Sequence, residues 1–493
     1  MTFSASSYSN TNGCGRRTFL SDVGLGFTGV ALGAMLAEES RSESPTSKPK
    51  SSDTRQPKIK NVIWIFLSGG VSHLETFDPK PLLNRFAGKT FDETGFDNPQ
   101  KLPIYRERSR SVVGFDRDVV SKIMPLNVGY RKRGQAGIEV SDWLPHLASV
   151  VDDLCIVRSM WTTDNDHAAE FQFHTGRHAL DEQEPTIGSW ISYGLGTLNE
   201  NLPKFVFLGQ FKDTRVKNNF AAHYLGPEHA GIQLSLDPKN PLPFGSRPWG
   251  IRGGEQKREF ELIHQMNRLS EVEYPNDPEL MARIQSYELA FRMQAAAPEA
   301  LGYQDESNET LALYGMDQDA TRVYGHRLLT ARRLAERGVR FTLCYLSDYG
   351  EWDSHSNIKE LHARSCARVD RPLAGLIQDL KRRGMLDETL VVCATEFGRT
   401  PGLEITSFNK AGTGRDHHPH GFTIWMAGGG VKRGHVHGAT DELGFHAIEH
   451  PHYVTDIHAT VLHLLGLDAT QLNIPGRKRL EIDYGRVIED VLA

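Results

Sequence analysis

The sequence has few cysteines, no excess of basic residues and no long uninterrupted apolar run. Its five cysteines are scattered and form no Cys-x-x-Cys pair, which argues against a zinc ribbon or a disulfide scaffold. The formal net charge is −6, so the chain lacks the basic footprint of a nucleic-acid-binding protein. No segment reaches the roughly 20 apolar residues of a stable membrane span. With an apolar content of 39%, the composition is that of an ordinary globular protein.

The N-terminal region has the pattern of a twin-arginine export signal. The pair Arg16-Arg17 is followed by Thr-Phe-Leu and then by a weakly apolar, glycine-rich run. We expect residues 1–37 to be the signal peptide and residues 38–60, rich in Ser, Pro and Lys, to be a disordered linker. The protein is therefore predicted to be periplasmic or extracellular.

Apolar runs alternate with helical patterns through the rest of the chain. The runs are unbroken, which indicates strands covered on both faces and hence a parallel sheet. They lie at 60–67, 154–157, 205–208, 341–346, 390–394 and 422–427. Helical patterns lie at 142–153, 320–337, 358–383 and 454–465. The sequence thus predicts a single α/β domain over 61–493, a three-layer sandwich with a mostly parallel central sheet.

Two segments interrupt this alternation. Residues 81–137 are irregular and rich in Arg, Pro and Gly, which is typical of a long insertion, and we expect this insertion near the functional site. Residues 255–297 are charged and helical in pattern, and we expect them to form an outer helical cap.

Polar side chains cluster where the predicted strands end, which is where open α/β sheets bind their ligands. The metal-ligand candidates among them are Asp353, His355, Glu396, His418 and His420. A set of imidazoles and carboxylates from separate segments, without cysteine, suits a divalent metal ion such as zinc, manganese or calcium. We therefore predict a metal site in which these residues meet.

A second group of residues suits an anionic ligand. The turn Ser68-Gly69-Gly70 allows backbone N–H groups to approach a phosphate or sulfate oxygen closely. Two arginines beside the clusters could clamp an oxyanion with paired hydrogen bonds. The expected substrate-binding residues are Ser68, Gly69, Gly70, His73, Arg177 and Arg399. An anionic small molecule or glycan is the predicted partner.

Five motifs follow one another along the chain: Leu67-Ser68-Gly69-Gly70-Val71-Ser72-His73, His174-Thr175-Gly176-Arg177-His178, Trp352-Asp353-Ser354-His355, Thr395-Glu396-Phe397-Gly398-Arg399 and Gly414-Arg415-Asp416-His417-His418. In this order they resemble the secreted family DUF1501, within the alkaline phosphatase and sulfatase superfamily. The resemblance implies an alkaline-phosphatase-like fold. It also implies that Asp353 and His355, with His418 or His420, share one metal position, and that Glu396 stands where the superfamily has an Asp-His pair.

The sequence departs from the superfamily at chemically important positions. Ser68 stands where the first strand normally ends in a metal-binding Asp, and the nucleophile position falls at Asp166. A Cys-x-Pro-x-Arg motif is missing, which argues against a formylglycine sulfatase. The resemblance therefore does not carry over an intact two-metal site, and hydrolysis cannot be inherited by analogy.

Three functional hypotheses follow. The first is a metal-dependent hydrolase of phosphate or sulfate esters in which Asp166 or His167 is the catalytic base or nucleophile. The second is a non-catalytic secreted protein that keeps the fold and binds a metal or an anion without the nucleophile. In the third, the metal is purely structural.

Overall fold

The computed structural model describes residues 56–110, 122–209, 219–237, 258, 260–267, 278–404, 412–474, 476–477 and 479–493. The predicted signal peptide and most of the predicted linker lie outside the described residues, as do parts of the expected insertion and cap. Among the described helices, none combines the length and apolarity that crossing a bilayer requires.

The strands alternate with helices along most of the chain. The described strands are β1 (Asn61–Phe66), β2 (Tyr130–Arg133), β3 (Ile138–Ser141), β4 (Leu154–Trp161), β5 (Phe205–Leu208), β6 (Ile232–Leu234), β7 (Phe341–Tyr345), β8 (Thr389–Ala394), β9 (Gly398–Arg399), β10 (His417–His418), β11 (Phe422–Gly428), β12 (His435–His437), β13 (Ala439–Thr440), β14 (Ala447–Glu449) and β15 (His452–Tyr453).

The central sheet has nine strands. Their order is β12-β4-β11-β8-β1-β7-β5-β6, and β15 also pairs with β4. β1 is parallel to β7 and β8, and β5 is parallel to both β7 and β6. β11 lies between β4 and β8 and is antiparallel to both. All six predicted strands belong to this sheet, which confirms the predicted mostly parallel α/β architecture.

The helices cover the two faces of the sheet. The described helices are α1 (Pro81–Arg85), α2 (Pro103–Arg108), α3 (Pro145–Ser149), α4 (Ala169–Thr175), α5 (Ile187–Leu195), α6 (Pro278–Leu301), α7 (Asn308–Leu313), α8 (Asp319–Glu336), α9 (Ile358–Arg382), α10 (Val454–Leu464) and α11 (Glu481–Tyr484). α8, α9 and α10 agree with the sequence prediction to within one residue at each end. The predicted helix at 142–153 is shorter, since α3 ends at Ser149 and a 3-10 turn follows.

β1 shows why the apolar runs are unbroken. Ile63 and Ile65 belong to the core that α8 and α9 share with the sheet, whereas Trp64 and Phe66 belong to the core on the opposite face, under α4, α5 and α10. All four side chains are fully buried, and each stabilises the fold by about 1.5–3 kcal/mol. Successive residues of the strand therefore face two different helical layers.

The folded domain begins before Asn61. Ile59 is buried, and the backbone N–H groups of Lys58 and Ile59 donate to the Leu464 carbonyl at 2.8 and 3.2 Å. The last residues of the predicted linker are thus part of the fold, because Ile59 supplies an apolar side chain for the core. In the segment expected to be an outer cap, Met293 and Ala297 of α6 are also buried in the core beside α8.

Candidate metal centre

The candidate ligands meet at one edge of the central sheet. The carboxyl ends of β1, β7 and β8 lie at this edge, and so does the loop between β4 and α4. Because β11 runs against its neighbours, its amino end is at the same edge, and β10 just before it contributes as well. This is the position at which α/β sheets place their ligands.

Asp353 is the centre of the cluster. Its Oδ1 lies 2.8 Å from His355 Nε2 and 3.0 Å from His417 Nε2, and its Oδ2 lies 3.2 Å from His167 Nε2. The Nε2 atoms of His355 and His417 are 3.1 Å apart. One carboxylate and three imidazoles, separated by up to 250 positions in sequence, therefore face a common point.

The tautomer of His417 can be assigned from its hydrogen bonds. Its Nδ1 lies 2.7 Å from the Asn165 carbonyl oxygen, which can only accept, so Nδ1 carries the proton. Burial lowers the pKa of His417 to about 3, so the ring is neutral and its Nε2 has a free lone pair. That lone pair faces the unprotonated Oδ1 of Asp353. Two such acceptors at 3.0 Å need a donor or a cation between them: the Nε2–H of protonated His355 lies there, and a metal ion could take its place.

His355 is oriented by a buried carboxylate. Glu404 Oε2 lies 2.5 Å from His355 Nδ1, which turns Nε2 toward Asp353. Burial alone would lower the pKa of His355, but Asp353 and Glu404 raise this pKa to about 9. A carboxylate behind the outer nitrogen of a metal-binding histidine is a common arrangement in zinc proteins. The sequence carries no pattern that distinguishes Glu404 from an ordinary loop residue.

His167 bridges two carboxylates. Its Nδ1 lies 3.0 Å from Glu396 Oε1, and Asp353 and Glu396 together raise its pKa to about 10 against the effect of burial. Glu396 is fully buried, and its oxygens also accept from the Gly69 N–H at 2.7 Å and the Thr395 hydroxyl at 3.0 Å. Glu396, predicted as a metal ligand, is therefore placed behind His167 as its hydrogen-bond partner.

The cluster has the dimensions of a cation site. Asp353 Oδ1, His355 Nε2 and His417 Nε2 form a triangle with sides of 2.8, 3.0 and 3.1 Å. Ligands at 2.0–2.2 Å from tetrahedral zinc lie about 3.4 Å apart, so shifts of a few tenths of an ångström would admit the ion. The side chains of Asp353 and His355 are 26% and 31% exposed, which leaves an approach from solvent. The residues fit a divalent cation.

His418 and His420, predicted as ligands, lie outside this cluster. Successive side chains of a strand point to opposite sides, so within β10 His417 faces Asp353 and His418 faces away. His418 Nε2 donates to the Phe445 carbonyl. His420 Nε2 lies 3.1 Å from Ser109 Oγ, and its ring stacks on His446. His417 thus takes the place expected for His418 or His420.

The two arginines predicted to bind substrate are engaged with the protein. Arg399 is fully buried, and it donates to the Gly70 carbonyl at 2.9 Å, the Arg415 carbonyl at 3.1 Å and Asp353 Oδ1 at 2.8 Å. Arg177 donates to Asp483 Oδ2 at 3.0 Å. Arg399 therefore anchors the glycine turn and Asp353, and a role as an open oxyanion clamp does not fit its position.

The predicted anion turn is also occupied by protein groups. The Gly69 N–H donates to Glu396, and the Ser68 hydroxyl donates to Glu170 while accepting from the Gly350 N–H at 3.1 Å. Glu170 is fully buried, and burial together with the charge of Glu396 raises its pKa to about 8. His73 is buried too, with Nε2 2.9 Å from the Gly444 carbonyl.

Asp166, the predicted nucleophile or base, lies in the loop before α4. It is flanked by Asn165, whose carbonyl accepts from His417, and by His167, which contacts Asp353. Its own N–H donates to Asp164 Oδ1 at 3.0 Å, and its carboxylate accepts from the Ala168 N–H at 3.4 Å. Asp166 is therefore next in sequence to His167 of the cluster and to Asn165, which orients His417.

Several solved structures resemble the chain at low identity. A phosphonate monoester hydrolase from Silicibacter pomeroyi has 14% identity over 70% of this chain and 71% of its own, with a TM-score of 0.35. A protein of the alkaline phosphatase superfamily from Vibrio parahaemolyticus has 12% identity over 94% and 79%, with a TM-score of 0.39. The C-terminal periplasmic domain of EcEptC from Escherichia coli, in complex with Zn, has 9% identity over 92% and 96%, with a TM-score of 0.33.

Likeness at these TM-scores carries no argument about the chemistry of this chain. Among curated proteins, none matches the sequence significantly. The family described as "Protein of unknown function (DUF1501)" matches residues 59–492. The chain therefore belongs to the DUF1501 family.

Proposed function

We propose that this protein is a metal-dependent hydrolase of phosphate or sulfate esters. The observation that carries the proposal is the convergence of three imidazoles on one carboxylate: the Nε2 atoms of His355, His417 and His167 lie 2.8, 3.0 and 3.2 Å from Asp353 oxygens. Three imidazoles and one carboxylate suit zinc or manganese, whereas calcium prefers oxygen ligands throughout.

When bound, a divalent cation at this site would polarise an ester oxygen and make water a better nucleophile. The chain's own groups then have distinct tasks. Glu396 and Glu404 hold His167 and His355 in the tautomers that point Nε2 toward Asp353. Asp166, next in sequence to His167, would accept a proton from the attacking water or attack the ester itself.

One observation favours a second candidate, a non-catalytic secreted protein that binds a metal and, through it, an anion. The groups predicted to hold the oxyanion are engaged elsewhere: Arg399 with backbone carbonyls, Arg177 with Asp483, and the Gly69 N–H with Glu396. In this alternative the cation provides the attraction for the anionic ligand, and Asp166 has no catalytic role.

The test uses the exported chain, stripped of metal and reloaded with Zn²⁺ or Mn²⁺, with an aryl phosphate and an aryl sulfate as substrates. We expect turnover that chelation abolishes. Asp353→Ala should lose the cation and the activity while keeping its circular dichroism. Asp166→Asn should keep the cation and lose about 10²–10⁴-fold in kcat. Asp317→Asn, which changes a half-exposed carboxylate of a surface ion pair, is the matched control.

The outcomes separate the hypotheses. A chain that binds one cation per molecule in the cluster but turns over neither ester contradicts the hydrolase and supports the binding protein. If Asp353→Ala loses its fold and the metal-loaded wild type turns over neither ester, the cation is structural.

A further inference from the structure

A second group of histidines lies at the edge of the central sheet. His435 and His437 belong to β12, and His450 and His452 lie at β15; both strands pair with β4. His437 is in the middle: its ring centroid is 5.1 Å from that of His452, 5.3 Å from that of His450 and 6.3 Å from that of His435. None of these residues takes part in the cluster around Asp353.

Two of these imidazoles face each other through their Nε2 atoms. His437 Nε2 lies 2.9 Å from His452 Nε2. His452 Nδ1 lies 3.0 Å from Asp456 Oδ2, and the other oxygen of Asp456 accepts from the Arg486 N–H at 2.8 Å, which fixes the carboxylate. Asp456 thus holds the proton of His452 on Nδ1 and leaves the Nε2 lone pair directed at His437. This is the carboxylate–histidine arrangement of metal-binding imidazoles.

His450 is the candidate for a third ligand, since its ring is nearer to His437 than that of His435 is. Its side chain is exposed, and its backbone adopts the left-handed conformation, with φ of +46°, which is costly for a residue with a β-carbon. The Ser159 hydroxyl donates to its carbonyl at 2.7 Å and holds this conformation. The exposed side chain would have to rotate to join the other two imidazoles, and its ring centroid lies 5.3 Å from that of His437.

We propose that His437, His452 and His450 form a second metal site that binds Zn²⁺ or Cu²⁺. Imidazole is a preferred ligand of both ions, and a pair of Nε2 atoms at 2.9 Å needs only a small separation to reach the spacing of about 3.4 Å around zinc. Solvent reaches the site at the sheet edge, where His452 is only partly buried.

The ion would hold together the two ends of the segment between β12 and β15. This loop carries Gly444 and Phe445, whose carbonyls accept from His73 and His418. His418 in turn is adjacent to His417 of the first cluster. Closing the loop with a metal bond would restrict it in the folded state and support the packing behind β10.

The experiment measures Zn²⁺ stoichiometry and Cu²⁺ electron paramagnetic resonance on metal-stripped protein. The key background is Asp353→Ala, which removes the central carboxylate of the first site and so weakens it relative to the second. In this background we expect one Zn²⁺ per chain and a Cu²⁺ spectrum with nitrogen hyperfine coupling. Adding His452→Ala should remove both signals, and adding Asp456→Asn should weaken Zn²⁺ binding about 10–100-fold. His463→Ala, later in α10, is the matched control and should change neither.

Thermal melting provides a second readout if a variant binds poorly because it folds poorly. In the Asp353→Ala background, Zn²⁺ should raise Tm, and His452→Ala should abolish this rise while its Tm without metal stays close to that of the parent. The proposal is overturned if Asp353→Ala binds no Zn²⁺, or if His452→Ala leaves the stoichiometry and the Cu²⁺ spectrum unchanged. Because the deciding signals depend on His452 and Asp456, which lie outside the first cluster, failure of the proposed hydrolase does not affect the result.

Discussion

At the scale of single residues, the cluster depends on side chains that never contact the cation position directly. Glu404 is the clearest example: it is buried, and it orients His355 from behind. We predict that Glu404→Gln weakens divalent-cation binding about 10–100-fold, because the amide can present its NH₂ group to Nδ1 and so allow the wrong tautomer.

The measurement is a Zn²⁺ titration against a chelator of known affinity, with circular dichroism as the check on folding. Glu309→Gln, an exposed carboxylate that pairs with Arg382, is the control. An unchanged Zn²⁺ affinity in Glu404→Gln would show that His355 is not a ligand.

Gly69 is required for the approach of two loops. A β-carbon on this residue would lie 2.6 Å from Asp353 N and 2.7 Å from Trp352 N, and φ is +118°. Gly69→Ala should therefore displace Asp353, lose cation binding, and destabilise the fold by more than the roughly 1–3 kcal/mol of the backbone strain alone. Gly88→Ala is the matched control, because φ is +80° there and nothing lies within 4 Å. Urea unfolding and Zn²⁺ titration of both variants test this; equal effects would contradict it.

The residue types of the site could be predicted from the sequence, but the directions in which their side chains point could not. Asp353 and His355 are predictable because they follow a buried strand. The family resemblance points to His418 or His420, and a two-residue strand such as β10 offers no apolar alternation that would correct this to His417. The position of Arg399 is not predictable for a related reason, since its partners are mostly backbone carbonyls, which every sequence possesses.

At the scale of secondary-structure elements, α8 and α9 are joined by a buried ion pair. Arg332 Nε lies 3.0 Å from Asp379 Oδ2, and both side chains are fully buried. Asp379→Asn leaves Arg332 with its remaining partners Glu306 and Glu336, so we predict a loss of about 3 kcal/mol in the free energy of unfolding. Urea denaturation measures it. Asp317→Asn, in a half-exposed pair, should cost about 0–1 kcal/mol.

The same pair predicts a dependence of stability on pH. Burial alone would raise the pKa of Asp379, but Arg332 and Arg383 hold it below its usual value. A carboxylate with a lowered folded-state pKa stabilises fully above its unfolded value of about 3.9, and this contribution is lost as the pH falls below that value. The urea midpoint of the wild type should therefore fall more steeply below pH 4 than that of Asp379→Asn. Parallel curves would contradict the assignment.

The long elements were predictable because their patterns extend over many residues. α8 and α9 each end next to a glycine with positive φ, Gly338 and Gly384, and this stop is visible in the sequence. The region before β4 was less predictable. Its helical pattern covers two short pieces, α3 and a 3-10 turn, and no Gly or Pro in the sequence marks the break after Ser149.

At the scale of the whole molecule, the residues of the proposed first cation site come from loops in separate parts of the chain, so occupancy should stabilise the entire domain. At a free Zn²⁺ concentration 100 times the Kd, the gain is about 2.7 kcal/mol, which corresponds to a rise of about 3 °C in Tm for a domain of this size. Calorimetry with and without a chelator measures this. Asp353→Asn should lose this contribution, and a Tm in the wild type that is independent of Zn²⁺ would contradict the site.

The reversed direction of β11 has a consequence for when a cation can be held. His417 reaches Asp353 only because β11 enters the sheet at the ligand edge, wedged between β4 and β8. Until β11 is inserted in the sheet, the His417 imidazole cannot join His167 and Asp353 as a candidate metal ligand. Tight binding of a cation therefore requires the complete central sheet, and partly folded chains would release the ion.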